Sequence, residues 1–220
     1  VKNFITFNEP QCFIGNGFNG GGHAPSLNFG VRELIRMAHH VMLAHGKAVM
    51  AMREVYDDLK IGYAPTGSFF YPQNPECQAD IDVAYNKTFE TSDGGDGFGW
   101  TVAWWLDPIL LGKYPEDGLK IYEKYLPQGW QDDLKIISQP IDFCGQNLYN
   151  GYGVRAGENG ELCWVKRYVG FPHTGNMWPV TPEAIKWCAL FTNRRYGNIP
   201  IYFTENGMAG SDVISLDEKV

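Results

Sequence analysis

The chain has 220 residues, of which 44% are hydrophobic and 15% aromatic, enough to bury a sizeable core. Its formal net charge is -7, and its lysines and arginines are scattered through predicted helices, a distribution that argues against nucleic-acid binding. No apolar run approaches the length needed to cross a bilayer, so the sequence predicts no membrane segment.

The cysteine content indicates a reducing compartment. There are five cysteines, an odd number, and none of them has C-x-x-C spacing. This pattern favours reduced thiols in a cytoplasmic protein over a disulfide framework or a zinc site. The chain opens inside an apolar run without an initiator methionine, so a secretory leader upstream stays open as an alternative.

The first predicted element is a strand over residues 1–7 that runs into Thr6-Phe7-Asn8-Glu9-Pro10. Its residues are apolar, β-branched and aromatic, and Pro10 ends it. Glu9 is therefore predicted at the carboxyl end of a buried strand.

A glycine-rich stretch follows, Gly15-Asn16-Gly17-Phe18-Asn19-Gly20, and it fits the G-x-G-x-x-G spacing of dinucleotide-binding loops. In that fingerprint the first glycine follows the strand directly, whereas here residues 8–14 intervene. We therefore predict a flexible loop at the rim of the site and no nucleotide cofactor.

The next element is a helix whose apolar side faces the core. Its stripe comprises Leu34, Ile35, Ala38, Met42, His45 and Val49. His39, His40 and His45 lie on the same helix, but no pair has the i, i+4 spacing that places two metal ligands on one face. They are predicted to make packing and polar contacts, and no metal site is expected.

A second strand is predicted over residues 59–65, followed by a turn-rich insertion at 93–97. The insertion lacks the alternating acidic residues of a calcium loop and has Trp104 where the final glutamate would stand. Trp104 and Trp105 begin an apolar run, and Trp187 lies in a predicted helix at 182–196, so all three are expected in the core.

The last two predicted strands cover residues 141–148 and 199–205, and the second ends in Thr204-Glu205-Asn206-Gly207. Strands that alternate with helices form parallel sheets, whose carboxyl ends share one face. Glu9 and Glu205 are therefore expected to meet there. Two carboxylates on one face is the arrangement that cleavage of a glycosidic bond requires.

Thr6-Phe7-Asn8-Glu9-Pro10 and Thr204-Glu205-Asn206-Gly207 resemble the paired signatures of glycoside hydrolase family 1, the β-glucosidases and their relatives. Further segments at 38–46, 106–115 and 142–149 resemble that family in the same order. The resemblance implies an α/β fold, the (β/α)8 TIM barrel. Residues 1–220 would form a single partial catalytic domain of four βα units, from barrel strand four to strand seven.

The resemblance also implies roles for individual residues. Glu205 would be the nucleophile and Glu9 the acid and base of a retaining β-glycosidase that works without a cofactor or metal. Asn8 would bind the sugar 2-hydroxyl, Tyr149 would orient Glu205, and Asn147 would be a further polar group of the pocket. Trp178 resembles the aromatic platform for the leaving group.

Two other functions stay open at this point. A 6-phospho-β-glycosidase would share both glutamates, although Pro10 mildly favours the non-phosphorylated class by resemblance. A catalytically inactive sugar-binding or interaction protein would have no use for two neighbouring charges. The expected partners are a β-glycoside or oligosaccharide and the remaining barrel segments, without which residues 1–220 are predicted to be inactive and prone to aggregation.

Overall fold

The computed structural model describes residues 1–91 and 98–210. The turn-rich insertion predicted at 93–97 lies outside these residues. Within them the chain alternates strands and helices, with short strands inserted between the main units. No helix in these two ranges is long and apolar enough to cross a membrane.

The strands are β1 (Asn3–Asn8), β2 (Lys60–Ala64), β3 (Phe70–Pro72), β4 (Phe143–Asn147), β5 (Tyr152–Ala156), β6 (Leu162–Trp164) and β7 (Ile201–Glu205). The helices are α1 (Pro10–Phe18), α2 (Val31–Val55), α3 (Gln78–Phe89), α4 (Ala103–Leu110), α5 (Glu116–Tyr122), α6 (Trp130–Ile137) and α7 (Glu183–Tyr196), with a 3-10 turn at Glu123–Tyr125.

The four strands expected from the sequence form one parallel sheet in the order β1-β2-β4-β7. Every residue of β4 is buried, as expected for a central parallel strand covered on both faces. Gly62 in β2 permits this packing, because a Cβ there would lie 2.2 Å from a ring carbon of Phe143 in β4. The predicted strand positions were therefore right, with ends that differ by one or two residues.

Helix α2 packs its apolar stripe against the core, as the sequence predicted. Leu34, Ile35, Ala38 and Met42 are essentially inaccessible to solvent. Gly46 lies where α2 approaches α6, since a Cβ on it would lie 1.9 Å from the carbonyl oxygen of Ile136. Trp104, Trp105 and Trp187 are buried, which confirms that they belong to the core.

A second, smaller sheet was not predicted. Strands β3, β5 and β6 form it, with β3 parallel to β5 and β5 antiparallel to β6. Two of the three strands have only three residues, too few for a hydrophobic period to stand out in sequence. This sheet follows the carboxyl ends of β2 and β4, at the face where the glutamates were expected.

The prediction of a flexible rim loop at residues 15–20 was wrong over most of its length. Helix α1 runs through Phe18, and Pro10 stands in its first turn, where the fixed φ of proline favours a helix. The glycines allow the next loop to pack on this helix. A Cβ on Gly17 would lie 3.1 Å from the carbonyl oxygen of Ala24, and one on Gly21 would lie 2.4 Å from atoms of Asn16.

A buried ion pair joins two of the outer helices. Asp107 in α4 is almost fully buried, and it accepts hydrogen bonds from Arg195 Nε at 2.8 Å, from Arg195 Nη2 at 2.5 Å and from the Tyr196 hydroxyl at 2.8 Å. All three donors act on one carboxylate, so α4 and α7 are held together at a defined position. The Arg195 guanidinium also lies 4.6 Å from the ring centre of Phe89 in α3.

We expect Asp107→Asn to lower the free energy of unfolding by about 3 kcal/mol, because it leaves a largely buried guanidinium without its counter-ion. Urea unfolding followed by circular dichroism measures the change. The matched control is Asp132→Asn, which removes one partner of the exposed pair Lys135–Asp132, with side-chain exposures of 80% and 85%. That variant should change stability by less than about 0.5 kcal/mol. Equal effects in the two variants would contradict a structural role for the buried pair.

Candidate active site

The two glutamates lie at the same face of the main sheet, on its two edge strands. Glu9 directly follows β1 and Glu205 is the last residue of β7. Strands β2 and β4 separate them in the sheet. Because all four strands are parallel, both carboxylates emerge where strands give way to loops.

Two amide side chains connect the carboxylates. Asn147 Nδ2 donates to Glu9 Oε1 at 2.9 Å and to Asn8 Oδ1 at 2.9 Å. Asn8 Nδ2 in turn donates to Glu205 Oε1 at 3.0 Å. Asn147 is fully buried at the end of β4, between the two edge strands.

The orientation of the Asn147 amide is determined by its neighbours. Its nitrogen faces two oxygens, and its oxygen accepts a hydrogen bond from Thr204 Oγ1 at 2.6 Å. The reverse orientation would place an amide oxygen against a carboxylate with no hydrogen between them. Every polar atom of this buried side chain therefore has a partner.

Tyr149 provides a second contact to Glu205. Its hydroxyl donates to Glu205 Oε2 at 2.5 Å, so both oxygens of this carboxylate accept hydrogen bonds. The hydrogen bond to Glu205, followed by burial and the charges of both glutamates, raises the pKa of Tyr149 to about 12. Tyr149 therefore keeps its proton and acts as a donor at neutral pH.

The backbone at Glu9 has an uncommon conformation. Its φ of 44° and ψ of 59° are in the left-handed region, which residues other than glycine rarely adopt. Two hydrogen bonds hold it there, from Glu9 N to the Ala64 carbonyl at 2.8 Å and from Cys12 N to the Glu9 carbonyl at 2.9 Å. Non-glycine residues in this region cost about 1–3 kcal/mol and cluster at functional sites.

Cys12 stands in the first turn of α1, close to the Glu9 carboxylate. Burial, followed by the Glu9 carboxylate and the charge of Glu205, raises the pKa of Cys12 to about 12. The thiol is therefore neutral at neutral pH. The sequence analysis treated Cys12 only as one of five reduced thiols, and all five are free in the structure.

A cavity of about 700 Å³ opens beside Glu9. Its wall is formed by Glu9, Cys12, Asn16, His23, Thr66, Gly67, Ser68, Trp100, Asn147, Leu148, Tyr149, Asn150, Tyr152 and Trp178. Trp178 is 43% exposed, and its ring centre lies 5.3 Å from that of Tyr149. Glu205 is absent from this wall among the described residues, so the cavity lies on the Glu9 side of the carboxylate pair.

The structure brings all six predicted site residues together. Five of them share the hydrogen-bond network, namely Asn8, Glu9, Asn147, Tyr149 and Glu205, and Trp178 joins it through the Tyr149 ring. Sequence reasoning missed Thr204, Cys12 and Trp100. Thr204 is adjacent to Glu205 in the motif, and Cys12 lies three residues after Glu9, which is one helical turn.

The described ranges contain no group of three or more His, Cys, Asp or Glu side chains arranged to hold an ion. His45 illustrates why its helix does not provide one, because this residue is fully buried and its Nδ1 lies 2.6 Å from Thr6 Oγ1. Burial lowers the pKa of His45 to about 4, so it is a neutral packing residue.

The raised pKa of Cys12 predicts slow alkylation. In a variant with Cys77 and Cys163 changed to serine, Cys12 is the most accessible remaining thiol, because Cys144 and Cys188 are buried. Its rate of reaction with iodoacetamide should rise about tenfold per pH unit through pH 10, because only the thiolate reacts. A free thiol of ordinary pKa, about 8.5, should level off over the same range. Levelling off of Cys12 near pH 9 would contradict a pKa raised by burial and by Glu9.

Comparison with known proteins gives a consistent result. The family model for Glycosyl hydrolase family 1 matches residues 1–219. Among curated relatives, the chain is 33% identical over 222 residues to Beta-glucosidase A of Thermotoga maritima, covering 100% of the chain and 47% of the relative. It is 33% identical to 1,4-beta-D-glucan glucohydrolase of Thermotoga neapolitana over 223 residues, with 100% and 49% covered.

Solved structures agree with these relatives. The beta-glucosidase from Thermotoga maritima in complex with deoxynojirimycin matches with a TM-score of 0.75 and 33% identity, over 100% of this chain and 46% of that one. The same enzyme in complex with castanospermine gives a TM-score of 0.76. The chain thus spans about half the length of the relatives it matches. Its four parallel strands and the helices between them are part of their barrel fold, and the chain belongs to glycosyl hydrolase family 1.

Proposed function

We propose that this chain carries the catalytic carboxylates of a retaining β-glycosidase that hydrolyses terminal β-D-glucosides or related β-glycosides. The observation that supports it best is the hydrogen-bond network that joins Glu9 to Glu205 through Asn147 and Asn8. The relatives named as beta-glucosidases support the same reaction.

The reaction proceeds by two displacements. In the first, a carboxylate oxygen of Glu205 attacks the anomeric carbon and the bond to the leaving oxygen breaks, while Glu9 gives that oxygen a proton. In the second, Glu9 takes a proton from water, and the resulting hydroxide displaces Glu205 and releases the sugar. Each step inverts the anomeric centre, so the configuration is retained overall.

The geometry supports this division of roles. Both oxygens of Glu205 are oriented, one by Asn8 and the other by Tyr149, as a nucleophile aimed at one carbon requires. Glu9 lines the cavity that can take a leaving group, as a proton donor to the leaving oxygen requires. Because the amide of Asn8 already faces this site, we propose that it binds the sugar 2-hydroxyl.

We propose that the sugar-binding groups of this chain are completed by the rest of the barrel. Within the described residues, the outer edges of β1 and β7 pair with no strand, and Ile5 and Tyr202 are 40% and 58% exposed beside them. Open strand edges and exposed apolar side chains favour pairing with further strands. On this view residues 1–220 alone are inactive. The cytoplasmic location stays a prediction from the cysteine content.

The role of each glutamate predicts the outcome of anion rescue. In the complete protein, Glu205→Gly should lose turnover of a nitrophenyl β-glucoside and regain it with azide, which fills the vacated space and gives the inverted glycosyl azide. Glu9→Gly should give the retained glycosyl azide, because the covalent step on Glu205 survives. Nuclear magnetic resonance of the product identifies the anomer. Products with the opposite assignment would reverse the two roles.

Substrate comparison distinguishes the alternatives. We expect wild-type protein to hydrolyse nitrophenyl β-glucoside at least tenfold faster, in kcat/KM, than its 6-phosphate, since one misplaced polar or charged group costs a factor of about ten or more. A preference for the 6-phosphate would support a phospho-β-glycosidase, and no turnover of either compound would support a binding protein.

The Tyr149→Phe variant tests the hydrogen bond to Glu205. Loss of this donor should lower kcat for nitrophenyl β-glucoside about tenfold to a hundredfold with little change in fold.

A further inference from the structure

The cavity beside Glu9 has two exposed indoles. Trp178 is 43% exposed and Trp100 is 38% exposed, and both line the wall. They come from different parts of the chain, Trp178 from the loop before α7 and Trp100 from the segment before α4. The other two tryptophans near Trp100 in sequence, Trp104 and Trp105, are fully buried. The exposure of Trp100 is therefore a local exception within an otherwise buried aromatic segment.

Trp100 is held in place by its backbone and by α1. Its carbonyl oxygen accepts a hydrogen bond from Ser68 N at 2.9 Å. A Cβ on Gly15 would lie 3.9 Å from Cζ2 of the Trp100 ring, so the indole packs against α1, the helix that begins directly after Glu9. Within the described residues its ring stacks on no other aromatic ring. One side of the indole thus packs on the helix while the ring remains partly exposed to the cavity.

The two indoles contact different parts of the site. Trp178 contacts Tyr149, which bonds directly to Glu205. Trp100 packs on α1 at Gly15, which is six residues beyond Glu9, or about 9 Å along the helix axis at about 1.5 Å per residue. Trp178 is therefore linked to the carboxylate pair through one side chain, whereas Trp100 packs farther along the helix that follows Glu9.

The remaining cavity wall suits a polyhydroxylated ligand. Asn16, His23, Ser68 and Asn150 contribute polar groups to the same wall. A volume of about 700 Å³ is in the upper part of the range, about 300–1,000 Å³, that pockets for drug-sized ligands occupy. Aromatic surfaces with a few polar groups match sugar rings, which have apolar faces and polar edges. One sugar ring would leave much of this cavity unfilled.

We propose that this cavity binds a leaving group of at least two β-linked sugar rings, with Trp178 beside the first ring and Trp100 beside the second. The inference rests on the proposed function, because it assigns Glu9 to the leaving-group side. It makes β-linked oligosaccharides of three or more rings the preferred substrate class. Trp100 is then a specificity-determining residue, and it takes no part in bond cleavage.

The test is the dependence of kcat/KM on substrate length. With complete wild-type protein, kcat/KM should rise about tenfold from the disaccharide to the trisaccharide, since one aromatic contact is worth about that factor, and should change little with a fourth ring. Both β-1,4-linked and β-1,3-linked glucose oligomers serve as probes. Trp100→Ala should abolish the rise while leaving kcat/KM for nitrophenyl β-glucoside and for the disaccharide within about twofold. Trp100→Phe should keep part of the rise.

The control is Tyr56→Ala. Tyr56 is also exposed, at 63%, but it follows α2 and lies outside the cavity wall, so its removal should leave the length dependence unchanged. A length profile that is flat in both linkage series, or a Trp100→Ala loss that is equal for every substrate, would overturn the inference. If a variant unfolds at a clearly lower temperature than the wild type, the dependence of wild-type kcat/KM on substrate length decides the test. Absence of any turnover of nitrophenyl β-glucoside by the wild type would instead refute the proposed function.

Discussion

The buried amide of Asn147 is the interaction on which the site depends. It stands at the end of β4 and donates to both Glu9 and Asn8, and Asn8 continues the connection to Glu205. Without it, no hydrogen bonds among the described residues would connect the two carboxylates, which stand on opposite edge strands. A fully buried amide must satisfy its hydrogen-bonding groups or destabilise the fold by about 1–3 kcal/mol each. The same contacts that satisfy Asn147 therefore position the two glutamates.

The Asn147 amide can reach its partners only because other hydrogen bonds fix the backbone around it. Asn147 N bonds the Pro65 carbonyl at 3.1 Å, and Leu148 N bonds the Glu205 carbonyl at 3.0 Å, so the ends of β2, β4 and β7 are aligned. Glu9 is held in a left-handed conformation on the far side of β2. Strain of this kind persists where the neighbouring structure determines the conformation. Here the parallel sheet and the start of α1 supply that constraint.

Much of this arrangement was predictable, and the failures have physical causes. Runs of apolar residues ending in Glu9 and Glu205 indicated two strand ends, and the βα alternation indicated one shared face. Other residues at the site could not be predicted from the sequence, because their roles depend on tertiary contacts. Cys12 looks like any free thiol until α1 places it against Glu9. The glycines at 15–20 suggested flexibility, whereas the lack of a Cβ at Gly17 lets the following loop pack on a helix.

The two sides of the carboxylate pair differ in how they are built. Glu205 is enclosed by specific donors, Asn8 and Tyr149, which suits an atom that must attack one carbon. Glu9 faces a broad cavity with indoles and scattered polar groups, which suits a proton donor that must serve leaving groups of different shape. The groups nearest Glu205 come from the motifs and β4, while those around the cavity come from loops and the helix after β1. On the proposed function, chemistry and leaving-group preference would be carried by separate parts of the fold, so we expect substitutions in those loops to alter specificity while the carboxylate network stays intact.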